Sequence, residues 1–254
     1  MIRALGSGIA LQFKSLSRSA FDMSGVVFWP LVYATIAYYV FRAGRHPHVL
    51  FTASLGATVM AMWATVGIGA SAALQWQRRQ GTLELLVAAP APLLVVLAPL
   101  TIAYAAIGVY SLAATLVWGR LLFGIPIHIV HPFLFVLALP AAIFSIGMLG
   151  LLVAASFVLY RAAVFLGNTL EYPVWLATGL LVPLSVLPGW VRPISWLLAP
   201  TWGMRALRDA ALGGNPLVPI GMCFVVSLVY ALLAAAFLTY FERIARSRAS
   251  FALS

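Results

Sequence analysis

Long apolar runs separated by short polar stretches make up most of the sequence. A helix of about twenty apolar residues is long enough to cross the hydrocarbon core of a bilayer. The pattern therefore predicts an all-α, polytopic membrane protein that forms a single transmembrane domain over residues 1–254. Its six expected transmembrane helices are residues 24–41, 49–74, 93–118, 133–159, 162–182 and 217–240.

Two further segments are predicted to lie at the membrane surface rather than to cross the membrane. Residues 1–22 mix apolar and basic side chains with roughly helical spacing, which is typical of an interfacial helix. Residues 183–216 are broken by prolines, so we expect two short re-entrant or interfacial helices before the last span. Thr201 would cap the second of these helices, and Gly213 with Gly214 would end it. The tryptophans of this segment, expected at headgroup depth, are Trp190, Trp196 and Trp202.

A polar and basic segment at residues 75–91 separates the second span from the third. Gly81 is expected to break the preceding helix, and Thr82 is suited to cap a new one. Glu84 would then lie in the first turn, where a negative charge is favourable, and Pro90 would stop the helix. The segment is thus predicted to form a short helix beside the membrane.

The second span also carries a row of small residues at every fourth position. In lipid, small side chains allow two helix backbones to approach closely, and this packing is a main source of helix association. The spacing predicts that the row faces another helix. Its members are Ala53, Ala57, Ala61, Thr65, Gly69 and Ala73.

Composition supports the membrane assignment and argues against nucleic acid binding. The chain is 64% hydrophobic and 8% charged, with a mean hydropathy of +1.06, which excludes a water-soluble domain. Its net charge of +10 would suggest nucleic acid binding in a soluble protein, but here the basic residues orient the spans and meet anionic lipid. Nine of the fifteen basic residues fall on the side of the termini, so we expect both termini in the cytoplasm.

Two motifs together resemble type-2 ABC exporter permeases. The first is Arg-Arg-Gln-Gly-Thr-Leu-Glu-Leu-Leu at residues 78–86, which is similar to the loop between the second and third spans of that family. The second lies at residues 179–194 and 199–208 and resembles the family's signature after the fifth span. The resemblance covers nearly the whole chain and is greatest to the drug-resistance branch, exemplified by daunorubicin exporter permeases. The polysaccharide-exporting branch shares the architecture.

The resemblance implies that ATP is bound and hydrolysed by a separate ATPase dimer. This chain has a single lysine, Lys14, and no phosphate-binding glycine loop, so ATP and Mg²⁺ are expected on the partner and no cofactor on this non-catalytic chain. The segment 75–91 would be the coupling helix that inserts into the ATPase. Two permease chains, identical or different, would pair in a bacterial plasma (inner) membrane. The coupling residues carried over are Arg78, Arg79, Gly81, Thr82, Leu83, Glu84, Leu85 and Leu86.

Glu171 is the one carboxylate expected deep within a span, where an ionised group is costly unless it faces protein or water. One interpretation is that Asn168, Glu171 and Tyr172 line the substrate pathway and attract a cationic or hydroxyl-rich substrate. The other is a protonated glutamic acid that hydrogen-bonds across a helix interface. All four histidines fall in two loops without acidic or cysteine neighbours, so no metal site is expected.

The resemblance implies that the chain is the membrane-spanning subunit of an ATP-driven exporter that moves a hydrophobic or amphipathic substrate, such as a drug or lipid, out of the cell. An alternative within transport is export of a lipid-linked polysaccharide. An alternative of another class is a membrane enzyme or assembly factor that works without ATP. Membrane lipid is a further expected partner, and nucleic acid is not. The segment before the last span would act as an outer gate through Pro183, Pro188, Trp190, Pro193 and Trp202.

Overall fold

Every regular element in the described part of the chain is a helix. The computed structural model describes residues 20–41, 50–65, 81, 93–159, 172–180, 184 and 187–251. We number the helices along the chain. They are α1 (Ala20–Phe41), α2 (Leu50–Thr65), α3 (Leu93–Phe123), α4 (Pro132–Leu159), α5 (residues 172–177), α6 (Val191–Trp196), α7 (Ala199–Leu212) and α8 (Leu217–Phe251).

Two of these helices contain stretches long and apolar enough to cross a membrane, within the residues that the structure describes. The stretches are Pro132–Ser156 in α4 and Leu217–Tyr240 in α8. They coincide with the predicted spans 133–159 and 217–240. Shorter apolar stretches lie in α1, α2 and α3. The all-α class is therefore confirmed for the described residues, and the count of six spans stays a prediction.

The third predicted span ends too early, because α3 continues from residue 118 to Phe123. Gly124 then takes a left-handed conformation with φ +63°, which a residue with a Cβ rarely adopts. The amide of Ile125 folds back to donate to the carbonyl oxygen of Gly119 at 3.2 Å. Gly124 is therefore the stop signal, and the loop predicted to start at Arg120 starts at residue 124.

The predicted end of the fifth span, residue 182, is also wrong. In the described residues α5 ends at 177 and a turn follows at 178–180, where Gly179 has φ +78°. A left-handed glycine at this position ends the helical run even though the residues beyond it are apolar. The earlier part of this span, residues 162–171, lies outside the described residues, as does most of the predicted interfacial helix 1–22.

Helix α4 occupies the centre of the fold and packs against α3, α7 and α8. Half of the buried residues on α4 are alanine or serine, so neighbouring backbones approach closely: a Cβ on Gly203 of α7 would lie 3.1 Å from the Cβ of Ala142. Such contacts replace the hydrophobic force that lipid does not supply. The fully buried small residues on α4 include Ala138, Ala142, Ser145, Ala154 and Ala155.

Hydroxyl groups inside the helices are mostly satisfied by their own helix. Thr58 donates to the carbonyl oxygen of Ser54 at 3.0 Å, and Ser145 donates to that of Ala142 at 2.9 Å. An apolar surrounding makes an unpaired polar group costly, so this back-bonding allows serine and threonine to be buried. Bonds between helices are fewer, and Trp118 of α3 makes one of them, to the hydroxyl oxygen of Thr35 in α1 at 3.1 Å.

Candidate functional site

The proline-rich segment before the last span folds as two short helices, α6 and α7, as its sequence predicts. Pro193 lies in the first turn of α6 and Pro200 at the start of α7. Proline is tolerated there because the first amides of a helix have no partner within it. Between the helices, Leu198 is extended at φ −100° and ψ 123°, so the chain changes direction at this residue.

Besides its backbone hydrogen bonds, the turn between α6 and α7 is held by three bonds from side chains. The hydroxyl groups of Ser195 and Thr201, both fully buried, lie 3.2 Å apart. The indole nitrogen of Trp202 donates to the carbonyl oxygen of Trp196 at 2.8 Å. The third bond comes from α8 and ties this turn to a membrane-spanning helix: Tyr230 donates its hydroxyl hydrogen to the carbonyl oxygen of Leu197.

The predicted cap at Thr201 is wrong. Helix α7 starts at Ala199 with Leu198 as its cap residue, and no side chain makes a capping hydrogen bond. Pro200 explains the difference. Its fixed φ already suits the first turn of a helix, and it has no amide hydrogen that a capping side chain would have to accept. The hydroxyl of Thr201 is therefore available to Ser195.

The predicted end of α7 at Gly213 is confirmed. Gly213 has φ +87°, and the amide of Gly214 donates to the carbonyl oxygen of Asp209 at 2.7 Å. The last carbonyls of α7 find partners in the loop before α4. Val130 and His131 donate their amides to the carbonyl oxygens of Ala211 and Ala210, at 3.0 and 3.1 Å. Helix α7 is thus fastened at its end to the loop 124–131.

The tryptophans of the segment fall into two environments. Trp202 is 8% exposed, whereas Trp190 and Trp196 are 69% and 54% exposed. Of the residues predicted as an outer gate, Trp202 is therefore a packing residue, while Pro188, Trp190 and Pro193 lie at the surface. Pro183 lies outside the described residues.

The charged side chains of α7 lie in the two turns that follow Trp202. The guanidinium of Arg205 lies over the Trp202 ring at 5.2 Å from its centre, a cation–π contact. The Nε of Arg208 lies 3.6 Å from a carboxylate oxygen of Asp209. Burial lowers the pKa of Arg205 from its usual value, and the charge of Arg208 adds to this, while Asp209 opposes it. Arginine still keeps its proton at neutral pH, so this face of α7 is positively charged.

The described part of the predicted substrate pathway is Tyr172, at the start of α5. Its side chain is 67% exposed, and its ring meets Trp175 edge-on with the centroids 5.2 Å apart. Asn168 and Glu171 lie outside the described residues, so their part in the pathway stays a prediction.

Three members of the predicted row in α2, Ala53, Ala57 and Ala61, are buried, and Thr65 is half-buried. Another backbone approaches α2 very closely at Gly56, which is not part of the predicted row. A Cβ on Gly56 would overlap the carbonyl oxygen of Leu180 and lie 3.2 Å from its carbonyl carbon. Sequence reasoning missed this residue because it sought a four-residue spacing, although a glycine within a small-residue helix was itself a signal. Gly69 and Ala73 lie outside the described residues.

Gly81 is the described residue of the predicted coupling segment 75–91. It forms an exposed turn with φ +69°, and no atom of the described residues lies within 4 Å of the position of a Cβ. The backbone conformation, and not crowding, is therefore what favours glycine here. The other coupling residues lie outside the described part, namely Arg78, Arg79, Thr82, Leu83, Glu84, Leu85 and Leu86.

Comparison with known families decides what kind of membrane protein carries these features. The sequence profile of the ABC-2 type transporter family matches residues 6–212, which is well over half of the chain. The chain belongs to the ABC-2 type transporter family. The type-2 ABC permease resemblance is confirmed by this match. The search of curated proteins finds no match to the chain.

Membership in the ABC-2 family makes the chain a membrane permease component of an ABC transporter. Such permease domains are generally non-catalytic and work with ABC ATPase partners. The family match ends at the last residue of α7, so it includes the segment 75–91 predicted to be the coupling helix, α5 and the α6–α7 turn, and α8 follows it. Among the described residues, no three histidine, cysteine, aspartate or glutamate side chains come together as a metal site.

Proposed function

We propose that this ABC-2 chain is the permease subunit of an exporter in a bacterial plasma membrane, with both termini in the cytoplasm. Two such chains, identical or different, would pair and work with a dimer of ATPase subunits that holds ATP and Mg²⁺. The substrate would be hydrophobic or amphipathic, such as a drug or lipid, as in the drug-resistance branch. The observation that carries the proposal is the family match over residues 6–212, which contains the motif at 78–86.

The coupling segment is the place where energy from an ATPase would enter the permease. It connects α2 to α3, and the left-handed turn at Gly81 supports a break between two helices within it. We expect Leu83, Leu85 and Leu86 to make apolar contacts with the ATPase. Arg78 and Arg79 would face the ATPase or lipid phosphates.

Contacts of α2 offer a route by which movement of this segment would reach the rest of the molecule. A Cβ on Gly119 of α3 would lie 3.8 Å from the hydroxyl of Ser54, and one on Gly108 would lie 3.3 Å from the Cγ of Met62. Helices α2 and α3 are therefore in direct contact along their length. Gly56 extends the contact to Leu180, beyond α5. Close-packed elements transmit displacements because they have little free volume.

Export of a lipid-linked polysaccharide remains the alternative within transport, because that branch shares the architecture. A membrane enzyme or an assembly factor is the alternative from another class, and either would work without an ATPase. These three functions differ in whether an ATPase binds and in which substrate stimulates it.

Co-purification with a co-expressed ABC ATPase subunit tests the coupling assignment. We expect Gly81→Pro and Glu84→Lys to abolish the association, because the first removes the left-handed turn and the second places a positive charge in the first turn of the coupling helix. Arg192→Glu is the matched control, since it reverses a charge at an exposed residue of α6. Association that survives both coupling variants would contradict the assignment.

Substrate-stimulated ATP hydrolysis by the reconstituted complex separates the substrate classes. The panel consists of phospholipids, glycolipids and cationic drugs added to proteoliposomes. Stimulation by drugs or phospholipids supports the proposed exporter, and stimulation by glycolipids alone supports the polysaccharide alternative. A chain that performs its cellular task when the ATPase cannot hydrolyse ATP is not an exporter subunit.

A further inference from the structure

Four aromatic side chains form a continuous cluster where α1 meets α5. Trp29 and Tyr33 of α1 are stacked, with their centroids 5.7 Å apart. Tyr33 meets Trp175 of α5 edge-on at 5.4 Å, and Trp175 meets Tyr172 edge-on at 5.2 Å. Edge-to-face pairs at these distances are favourable because the positive edge of one ring faces the negative face of the other.

The cluster runs from the exterior of the chain to its interior. Its inner members, Tyr33 and Trp175, are 8% and 5% exposed. Its outer members, Trp29 and Tyr172, are 49% and 67% exposed. Two exposed aromatic rings therefore stand next to a buried pair.

The buried indole of Trp175 has an unused hydrogen-bond donor. Its Nε1 is the one buried side-chain nitrogen or oxygen without a hydrogen-bond partner among the residues that the structure describes. Two other indoles are paired: Trp118 donates to Thr35, and Trp202 donates to Trp196. A buried donor that is left unpaired destabilises the fold, and lipid tails offer it no acceptor.

We propose that this aromatic cluster is a binding site for an amphipathic molecule that carries a neutral oxygen acceptor. The indole of Trp175 donates a hydrogen bond to a carbonyl oxygen of the molecule, of the ketone, ester or amide type. The apolar body of the molecule lies against the rings of Trp29 and Tyr172, which supply contact area at a small loss of side-chain entropy. The bound molecule need not be a cation, because the neutral indole donor of Trp175 selects for a hydrogen-bond acceptor.

Two sources of such a carbonyl are available in a membrane. One is the acyl ester of a resident phospholipid, and the other is a transported molecule. Only the identification of the molecule as cargo rests on the proposed export function. Binding at Trp175 is a property of the cluster and is tested without ATP or an ATPase.

The test observes the indole proton of Trp175 by nuclear magnetic resonance, using protein labelled with ¹⁵N-tryptophan in lipid nanodiscs. The Trp175→Phe variant assigns its signal among the eight tryptophans. The probes are 9-fluorenone and fluorene, flat molecules of nearly equal size that differ in the carbonyl group. We expect fluorenone to shift the Trp175 proton downfield in a saturable way, and fluorene to leave it in place. The paired indole of Trp118 serves as the internal control.

Variants measure what each part of the cluster contributes to binding. Trp175→Phe keeps an aromatic ring and removes the donor, so the affinity for fluorenone should fall roughly tenfold while that for fluorene is unchanged. Tyr172→Ala should weaken both probes alike, because an exposed ring is lost. Trp196→Phe, at an exposed tryptophan of α6, should change neither.

Nanodiscs of diacyl and of dialkyl phosphatidylcholine distinguish the two sources, because the ether lipid lacks the ester carbonyl. A Trp175 signal that differs between these lipids without a probe identifies a lipid ester as the ligand. A signal that is equal in both and responds to fluorenone identifies a site for added molecules. The proposal is overturned if neither lipid nor fluorenone moves the signal, or if Trp175→Phe binds fluorenone as tightly as the original chain. A responsive Trp175 in a complex whose ATPase no panel member stimulates contradicts the export function and leaves the site standing.

Discussion

Gly56 of α2 lies directly against the backbone of Leu180, in the turn that follows α5. The two residues are separated by more than a hundred positions in the sequence, and the contact leaves no room for a side chain on residue 56. It joins α2, which precedes the predicted coupling segment 75–91, to the element that carries Tyr172 and Trp175. A movement of α2 along its axis would therefore be felt at α5.

Replacing Gly56 with alanine should destabilise the protein. The added Cβ would overlap the carbonyl oxygen of Leu180, and a backbone atom does not move aside as a flexible side chain does. Overpacking of this kind costs about 1–3 kcal/mol. We expect a lower midpoint in thermal unfolding of the detergent-solubilised protein, together with weaker coupling of ATP hydrolysis to substrate.

Gly221→Ala is the matched control for this substitution. Gly221 lies in α8, and a Cβ there meets no atom within 4 Å. Its replacement should leave stability unchanged or raise it slightly, because alanine favours helix over glycine. Equal unfolding midpoints for Gly56→Ala and Gly221→Ala would contradict the close contact.

Removing the hydroxyl of Tyr230 should loosen the α6–α7 turn. Tyr230→Phe keeps the ring and deletes the hydrogen bond to the carbonyl oxygen of Leu197, which is then left without this donor. The expected loss in the free energy of unfolding is about 1 kcal/mol. Limited proteolysis of nanodisc-embedded protein should cut faster between residues 187 and 198. The control variant Tyr240→Phe changes a 58% exposed tyrosine on the same helix, and the protease should cut it at the original rate.

The loss of stability on substituting Gly213 should depend on the backbone conformation that the new residue tolerates and not on the size of its side chain. Its φ of +87° disfavours residues with a Cβ, by about 1–2 kcal/mol, whereas asparagine tolerates the left-handed region better. A Cβ would meet only Val130 at 3.5 Å, an ordinary contact. We therefore expect Gly213→Ala to lower the thermal unfolding midpoint more than Gly213→Asn does. The reverse order would show that side-chain volume decides at this residue.

The role of Glu171 is tested by Glu171→Gln, which keeps a hydrogen-bonding side chain and removes the charge. If Glu171 attracts a cationic substrate, the concentration of a cationic drug that half-maximally stimulates ATP hydrolysis should rise about tenfold. Stimulation by an uncharged lipid is the internal control, and it should not change. Normal export with normal assembly of the complex would leave the hydrogen-bonded structural role as the explanation.

Some helix boundaries were predicted correctly from the sequence and others were not, and the local residues explain the difference. The predicted helix at 133–159 agrees closely with α4, and the predicted helix at 217–240 agrees with the apolar stretch of α8, because continuous apolarity determines both. Helix α8 itself continues beyond the predicted end to Phe251. The ends of α3 and α5 were predicted wrongly. Gly124 and Gly179 end them, and a glycine within an apolar run does not reveal whether its φ is positive. The cap at Thr201 failed because Pro200 made it unnecessary.

The sequence by itself determined that the chain is an all-α membrane protein and, through the segments at 75–91 and 179–208, its family, since these depend on local composition and motif order. Only the tertiary structure decided which residues meet across the chain. The contacts of Gly56 with Leu180 and of Tyr230 with Leu197, and the aromatic cluster around Trp175, join residues distant in sequence. No periodicity encodes such pairs, because they depend on how helices pack in three dimensions. The unpaired indole of Trp175 is likewise a property of its surroundings in the fold.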